Sequence, residues 1–578
     1  MKELFLGPLI AFVLFLVAIQ FYLFQRNAPE DVGLPAVDDP ETPVDESKLP
    51  REPASGWQSL SRAARINTML VGGFYFFAKL IRYAVWSWSA YLLKRNYGMS
   101  DGEAAGYSVV FDLCGVPGVY LTGYLSDRFF GKYHTVLWLS LLYCVGHACL
   151  AVFEDNRTGF YAGLFLIALG SGGIKPLVSA FVGDQFDQSN KAMAKVVYDA
   201  FYWTINFGSF FASLLMPRIL ASWGPAWAFG IPGILMFIAT VIFWSGRKKY
   251  VHVPPTPRDP HSLMHVARSA LLAPGKGRSG LALAAIGGAL AIAMFAAWAI
   301  SPAWWPEHFN FVITFCLALG VFILFGGMGT SMQLERARGL HPDSAVDGVR
   351  AVLRILIVFA IVTPFWSLFD QKASTWILQG NVMVMPHDAW WWPSWLVQKP
   401  AQMQALNPLL VMLLIPFNNI VLYPFLRKLG FKVTALRRMG WGIAFSGFAW
   451  IAAALIQLSI DGGTPTSIAW QVLPYALLTF GEVLVSATGL EFAYSQAPES
   501  MKGTIMSFWM LSVTFGNLWV LLTNAAIRND TVSGMVAQSG LSEAAFLMFF
   551  FAAFALLAAL VFAWYAKRYP LADHYRAV

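Results

Sequence analysis

The chain has 578 residues, of which 57% are hydrophobic, 16% aromatic and only 12% charged, with a formal net charge of +8. So few charges cannot cover the surface of a soluble globule of this length, and the composition is that of a polytopic membrane protein. The positive balance does not mark a nucleic-acid binder, because the basic residues stand in short clusters between apolar runs, where they orient a membrane protein.

The first apolar run, residues 4–24 of "MKELFLGPLIAFVLFLVAIQFYLFQRN", is longer than the core of a signal peptide and lacks an A-x-A cleavage pattern, so residues 1–26 are expected to form an uncleaved transmembrane anchor. Residues 27–60, rich in proline and acid, bury too little apolar surface to fold and read as a disordered linker. Further runs follow near 66–93, 104–125, 136–153, 158–182, 199–217, 227–245, 281–301, 311–330, 353–376, 406–426, 441–459, 468–494, 504–526 and 543–566. Each is long enough to cross roughly 30 Å of hydrocarbon as a helix. If the runs alternate in direction, the clusters around Arg128 and Lys132, Lys191 and Lys195, Arg247 to Lys249, Arg336 to Arg354, Arg427 to Arg438, and Lys567 and Arg568 all fall on one side. The positive-inside rule makes that side cytoplasmic. On the other side, Trp390 to Trp392 read as an interfacial belt.

Several groups in these runs need company. Tyr202, Asn206 and Ser209 lie on one stripe of a helix, and in lipid they would be unsatisfied, so the stripe is expected to face a neighbouring helix or a wet cavity. Lys175, Asp370 and Glu482 are ionisable groups inside apolar helices, each costing roughly 2.5–3.5 kcal/mol at the bilayer centre unless paired or hydrated. They mark either a functional site or a structural ion pair. Cys114, Cys144, Cys149 and Cys316 sit in apolar runs without C-x-x-C spacing, which points to core packing and to no disulfide or zinc site. There is no G-x-x-x-x-G-K-[ST] for ATP, His147 stands alone, and no metal-ligand or Ser/His/Asp spacing suggests an enzyme, so no cofactor is expected.

The stretch "GYLSDRFFGKYHT" has the G-x-x-x-D-R-x-x-G-K pattern (Gly123, Asp127, Arg128, Gly131, Lys132) of the major facilitator superfamily loop. "FYWTINFGS" resembles the F-Y-x-x-I-N-x-G-S signature of the proton-dependent oligopeptide transporter family. "GSGGIKPLVSAFVGDQF", "PFWSLFDQKASTW", "LNPLLVMLLIPF" and "GEVLVSATGLEFAYSQAPESMKGTIMS" resemble its fourth, seventh, eighth and tenth helices, in order. The resemblance implies an all-α polytopic membrane protein with the major facilitator fold: a six-helix bundle over 61–250, a linker and inserted helix pair over 251–350, and a second six-helix bundle over 351–578. The first run is then an extra transmembrane helix.

By the same resemblance Lys175 and Asp370 belong to proton coupling and gating, as partners of one another, and Glu482 meets the amino terminus of a peptide. Asn206 and Asn407 match peptide-bonding positions and Tyr202 lines the same site. Ser486 and Gly489 follow on the face of Glu482, where they would leave room for substrate side chains.

One departure from the family is large. Where its first helix reads E-x-x-E-R-F-x-Y-Y, this chain has "YFFAKLIRYAVWSW", with Tyr75 and Ala78 at the acids and Lys79 at the arginine. The first hairpin resembles instead one from organophosphate:phosphate antiporters. Lys79, Arg82, Tyr83 and Trp86 make one helical stripe, and Asp112 in the next run is either their counter-charge or a replacement proton site. The implied function is proton-coupled uptake of di- or tripeptides or peptide-like solutes by alternating access in the bacterial inner membrane. Its partners are the substrate, protons and the lipid bilayer, with no nucleic acid. The alternatives are a carrier of another small anion or zwitterion and a transporter-derived sensor.

Overall fold

A computed structural model describes residues 66–74 except 68, 130–184 except 154, 205–252 except 217, 220 and 221, and 260–570 except 276, 303, 304, 307, 308, 310, 395, 396, 432 and 497–501. The anchor, the acidic linker and most of the first hairpin lie outside the described residues. The rest divides between residues 259 and 260 into two compact units. Regular structure among the described residues is helical, apart from isolated bridges at Arg338 with His341 and Val384 with Ser467. Ten of the helices are long and apolar enough to span a membrane.

The first unit contains α1 (Gly131–Val152), α2 (Arg157–Asp184), α3 (Ile205–Met216) and α4 (Pro225–Ser245). Gly131, from the loop motif, starts α1 at φ +70, a conformation that glycine adopts without a Cβ penalty. α4 starts at Pro225, whose missing N–H would be unsatisfied there in any case. α1 packs against both α2 and α4. A Cβ on Gly146 would lie 2.8 Å from the carbonyl oxygen of Gly163, and one on Gly163 would lie 2.9 Å from that of Gly146, so two glycines let the backbones touch. Tyr143, Leu150, Phe160, Leu164, Phe229, Met236 and Phe243 fill the core around that crossing.

The second unit opens with a short helix, α5 (Leu263–Leu272), then the inserted pair α6 (Ser279–Ile300) and α7 (Phe311–Gln333). There follow α8 (Asp343–Gln371), α9 (Thr375–Asn381), α10 (Leu406–Phe417), α11 (Tyr423–Lys428), α12 (Ala435–Asp461), α13 (Val472–Gln496), α14 (Lys502–Ile527), α15 (Asp530–Gln538) and α16 (Glu543–Ala566). α12 packs on α13 and α16, and α8 on α14. Gly442 and Gly481 repeat the glycine crossing between α12 and α13, and Gly516 admits α8 at Thr363 and Trp366. The core of this unit takes in Val358, Phe365, Trp376, Trp450, Tyr475 and Phe551.

Three details differ from the periodicity. The run expected at 353–376 is two helices: α8 starts earlier, behind Pro342, and ends at Gln371, before α9. The run at 406–426 is α10, a π-helical turn at Asn418–Leu422 and α11, with Pro416 inside α10. A proline removes a helical N–H, and an inserted π turn re-routes the ladder around such a break. Of the belt tryptophans, Trp390 is 95% exposed but Trp392 is 9% exposed and packs in the core.

Candidate functional site

The chemistry of the second unit gathers where α8 stops. Ser367 donates to the carbonyl of Pro364 at 2.7 Å, and Gln371 donates to that of Ser367 at 2.8 Å, so the last turns of α8 spend their polar side chains on their own backbone. Trp450 of α12 donates its indole N–H to the Leu368 carbonyl at 3.1 Å and ties this end to the neighbouring helix. The chain then turns through Lys372 to Ser374 into α9. Lys372, just past the end of α8, interacts electrostatically with Asp370 two positions earlier.

Lys372 is only 3% exposed. Its ammonium lies 3.0 Å from the centre of the Phe369 ring, a cation–π contact, and interacts electrostatically with Glu482 and Asp370. Burying an ammonium is tolerable only with such compensation. Asp370 accepts a hydrogen bond from Nδ2 of Asn517, on α14, at 2.9 Å. Glu482, on α13 and 7% exposed, accepts one from Nδ2 of Asn407, on α10, at 2.5 Å. The same Nδ2 lies 3.0 Å from Oγ1 of Thr479, one turn before Glu482. Four helices thus bring one cation, two carboxylates and two amides together, and with both carboxylates ionised the three charges sum to one negative.

The residues expected from the sequence are distributed as follows. Asn407, Glu482 and Asp370 belong to this constellation, and Ser486 lies half-buried one turn beyond Glu482. Gly489 does not open space for substrate: a Cβ there would run into the Trp509 indole, so the glycine makes room for a core tryptophan. In the first unit Asn206 is buried on α3, while the hydroxyl of Ser209 is turned back to the Ile205 carbonyl at 3.0 Å and so leaves the polar stripe. Lys175 lies within α2, its side chain outside the described residues, and Lys132 is half-buried at the start of α1. Lys79, Arg82, Tyr83, Asp112, Gly123, Asp127, Arg128 and Tyr202 lie outside the described residues. Lys372 is the residue that sequence reading missed. In "FDQKAST" it looks like the polar end of a span, and its clue is an acid two positions earlier in the same polar stretch.

Comparison with known proteins places these helices. The pattern of the POT family matches residues 133–539, from the start of α1 to beyond α15. Solute carrier family 15 member 2 of Mus musculus is 29% identical over 420 residues, covering 69% of this chain and 50% of its own. The chain spans about half the length of the curated relatives it matches. A crystal structure of an auto-inhibited POT family peptide transporter is 59% identical with a TM-score of 0.81, covering 88% of this chain and 98% of that one. The POT family transporter PepTSo is 57% identical with the same TM-score, covering 88% of this chain and 99% of its own. The family pattern runs over well more than half of the chain and includes α8, α10, α13 and α14, the helices that carry the buried carboxylates and the amides that bind them, so the chain belongs to the POT family.

Proposed function

We propose that this protein is a proton-coupled carrier that takes up di- or tripeptides, or solutes resembling them, by alternating access. The observation that carries the proposal is the buried Lys372 beside Glu482 and Asp370, a charged cluster that a purely structural bundle would replace with apolar packing at little cost. The relatives support the substrate class: the mouse protein is a solute carrier, and the two similar structures are described as a peptide transporter and a POT family transporter.

In this reading Glu482, held by Asn407, receives the amino terminus of the substrate. Asp370, held by Asn517, takes the proton, with Lys372 as the cation that holds it ionised when no proton is bound. Lys175 and Asp112 join Asp370 in coupling, and Lys79, Arg82, Tyr83, Tyr202, Asn206 and Ser486 complete the substrate contacts. These assignments rest on the family resemblance and on the chemistry of the residue types. The membrane is proposed to be a bacterial inner membrane, in keeping with the positive-inside arrangement. No comparison favours the organophosphate-like alternative that the first hairpin suggests.

Purified protein in proteoliposomes, given an inward proton gradient, is expected to accumulate labelled dialanine and not glycerol phosphate. Glu482→Gln should weaken dialanine binding by about thirtyfold or more, the scale of losing a buried charge partner. Glycerol phosphate accumulation without dialanine uptake, or unchanged dialanine affinity in Glu482→Gln, would overturn the assignment.

A further inference from the structure

At the end of the second unit that the positive-inside rule makes cytoplasmic, α8 begins and α16 finishes in contact with one another. The basic residues there fall into two groups. Arg338, just before α8, binds Glu335, Asp343 and Asp347 at 2.7, 2.9 and 2.7 Å, and Arg350 binds Glu335 and Asp347. Those two arginines are matched by three carboxylates. One turn further along α8, Arg354 is exposed and, among the described residues, has no carboxylate within ion-pair distance. Its charge lies instead beside the phenols of Tyr565 and Tyr569, and the Tyr565 hydroxyl is 3.4 Å from the Arg354 carbonyl oxygen. Lys567 and Arg568, just past the end of α16, are exposed too, and from Ala544 to Pro570 the chain carries no acid.

Aromatic side chains accompany these cations. The Arg568 guanidinium lies 4.3 Å from the centre of the Trp564 ring and donates to the Trp564 carbonyl at 3.3 Å, while the ring itself is 57% exposed. Tyr565 and Tyr569 stand 6.0 Å apart, and Tyr569 is buried against Phe492 of α13 at 5.3 Å, which fixes the phenols from behind. Deeper along both helices the exposed side chains are aliphatic. Ile357 follows Arg354 by one turn on α8, and Leu557, Leu560 and Val561 share the α16 face of Trp564 and Arg568. From the cytoplasm inward the surface therefore runs from cations through an interfacial tryptophan to hydrocarbon, the same order in which a phospholipid is built.

We propose that Arg354, Lys567 and Arg568 hold the headgroup of an anionic phospholipid of the cytoplasmic leaflet, whose acyl chains lie on the aliphatic faces of α8 and α16. A guanidinium offers paired N–H groups that match two phosphate oxygens, and an ammonium adds a point charge. Charge complementarity selects the lipid. A net-negative phospholipid answers cations that no carboxylate of the described residues neutralises, whereas phosphatidylcholine brings a further cation to them. An acidic polypeptide would match the charge but not the aliphatic faces below it. The site is separate from the buried cluster at Lys372, which stands at the other end of α8, roughly 24 Å away along the helix for the 16 residues between Arg354 and Asp370.

Native mass spectrometry of the full chain in detergent, titrated with phosphatidylglycerol or with phosphatidylcholine of the same acyl chains, tests this. The unaltered protein should prefer phosphatidylglycerol. Arg354→Gln and Arg568→Gln should each reduce that preference by about fivefold, the weight of one basic side chain beside an anionic lipid. Both residues are exposed, and Arg568→Gln stands in if Arg354→Gln folds poorly. Lys428→Gln removes an exposed charge on α11, at the same cytoplasmic edge, and should leave the preference unchanged. Free glycerol phosphate should not displace the lipid, because it brings no chain to the aliphatic faces. Equal affinity for the two lipids, an unchanged preference in both arginine variants, an equal loss in Lys428→Gln, or displacement by glycerol phosphate would each overturn the site. Transport plays no part in this readout, so the outcome is independent of the carrier assignment.

Discussion

The two units treat buried polar groups differently. In the described part of the first unit, hydroxyls turn back on their own helices: Ser140 to Val136 at 2.7 Å, Ser209 to Ile205 at 3.0 Å and Thr240 to Met236 at 2.8 Å. His147, fully buried, reaches across to the Phe229 carbonyl at 3.1 Å, so even its ring is spent on backbone. In the second unit hydroxyls such as Ser367, Ser446 and Ser512 also turn back on their own helices, but in addition buried side chains bond one another between helices. Asn407 joins Glu482, Asn517 joins Asp370, and Gln379 joins both Gln457 and Gln471 at 3.0 and 3.2 Å. Self-satisfied hydroxyls hold nothing in place and cost little, whereas cross-helix networks fix positions and fail together when one member is lost. Among the described side chains, then, those of α1 and α4 make apolar scaffold and the second unit carries positioned charge.

The largest effect that this contrast predicts is at Lys372. Lys372→Met fits the apolar wall but leaves Asp370 and Glu482 without their cation, a loss of about 3–5 kcal/mol in stability for a broken buried pair. Transport should vanish and the thermal midpoint in detergent should fall clearly. Dialanine uptake and a thermal melt read both, and normal values for the pair would mean that the charges are not coupled as drawn.

Next in size is Asp370. Asp370→Asn keeps an acceptor for Asn517 but removes the carboxylate proposed above as the proton carrier, so gradient-driven accumulation should be lost while dialanine exchange at equal pH continues. Asp112→Asn, tested in the same liposomes, should disturb coupling less. Full accumulation by Asp370→Asn would move the proton to Asp112 and the chemistry to the first unit, which would break the contrast outright.

Glycine crossings should respond alike in both units, because packing does not distinguish scaffold from site. Gly146→Val and Gly442→Val each force a side chain into facing backbone, 2.8 Å from the Gly163 oxygen and 2.6 Å from the Gly481 oxygen respectively for Cβ alone. Each should cost about 1–3 kcal/mol by overpacking, read as a lower thermal midpoint. A loss confined to Gly442→Val would mean that the first unit is loosely packed.

How far these differences were readable in the sequence follows from what periodicity reports. Apolar length located α1, α4, α6, α7, α12 and α16 closely, because a membrane span is set by hydrocarbon thickness. It missed the helix end at Gln371, because the polar stretch there is short and Trp376 to Leu378 carry the apolar run on past it, and with that end it missed Lys372. The family motifs singled out Asp370, Asn407 and Glu482, and α10 and α13 bring two of them, Asn407 and Glu482, into direct contact. Gly489 and Trp392 misled for one reason. Both were judged by residue type, a glycine as space and a tryptophan as interface, where only the facing side chain decides.

The smallest expected effect is at Ser140, and it is the sharpest test of the scaffold reading. Its side chain is fully buried, a place where losing a hydroxyl is ordinarily costly. But the bond is to the Val136 carbonyl one turn back, which in a helix already accepts the N–H of residue 140, so Ser140→Ala strands no partner. The lost volume is one oxygen atom, and alanine is the better helix former. Ser140→Ala should therefore change stability by less than about 0.5 kcal/mol and leave dialanine uptake unaltered. Thr479→Val, an equally small change in the second unit, withdraws the hydroxyl beside Nδ2 of Asn407, and so loosens the amide that holds Glu482. It should raise the apparent KM severalfold with little change in thermal midpoint. Equal KM shifts in the two variants would show that α1 is part of the transport site after all, and that the self-bonded hydroxyls of the first unit are no guide to which helices merely carry the others.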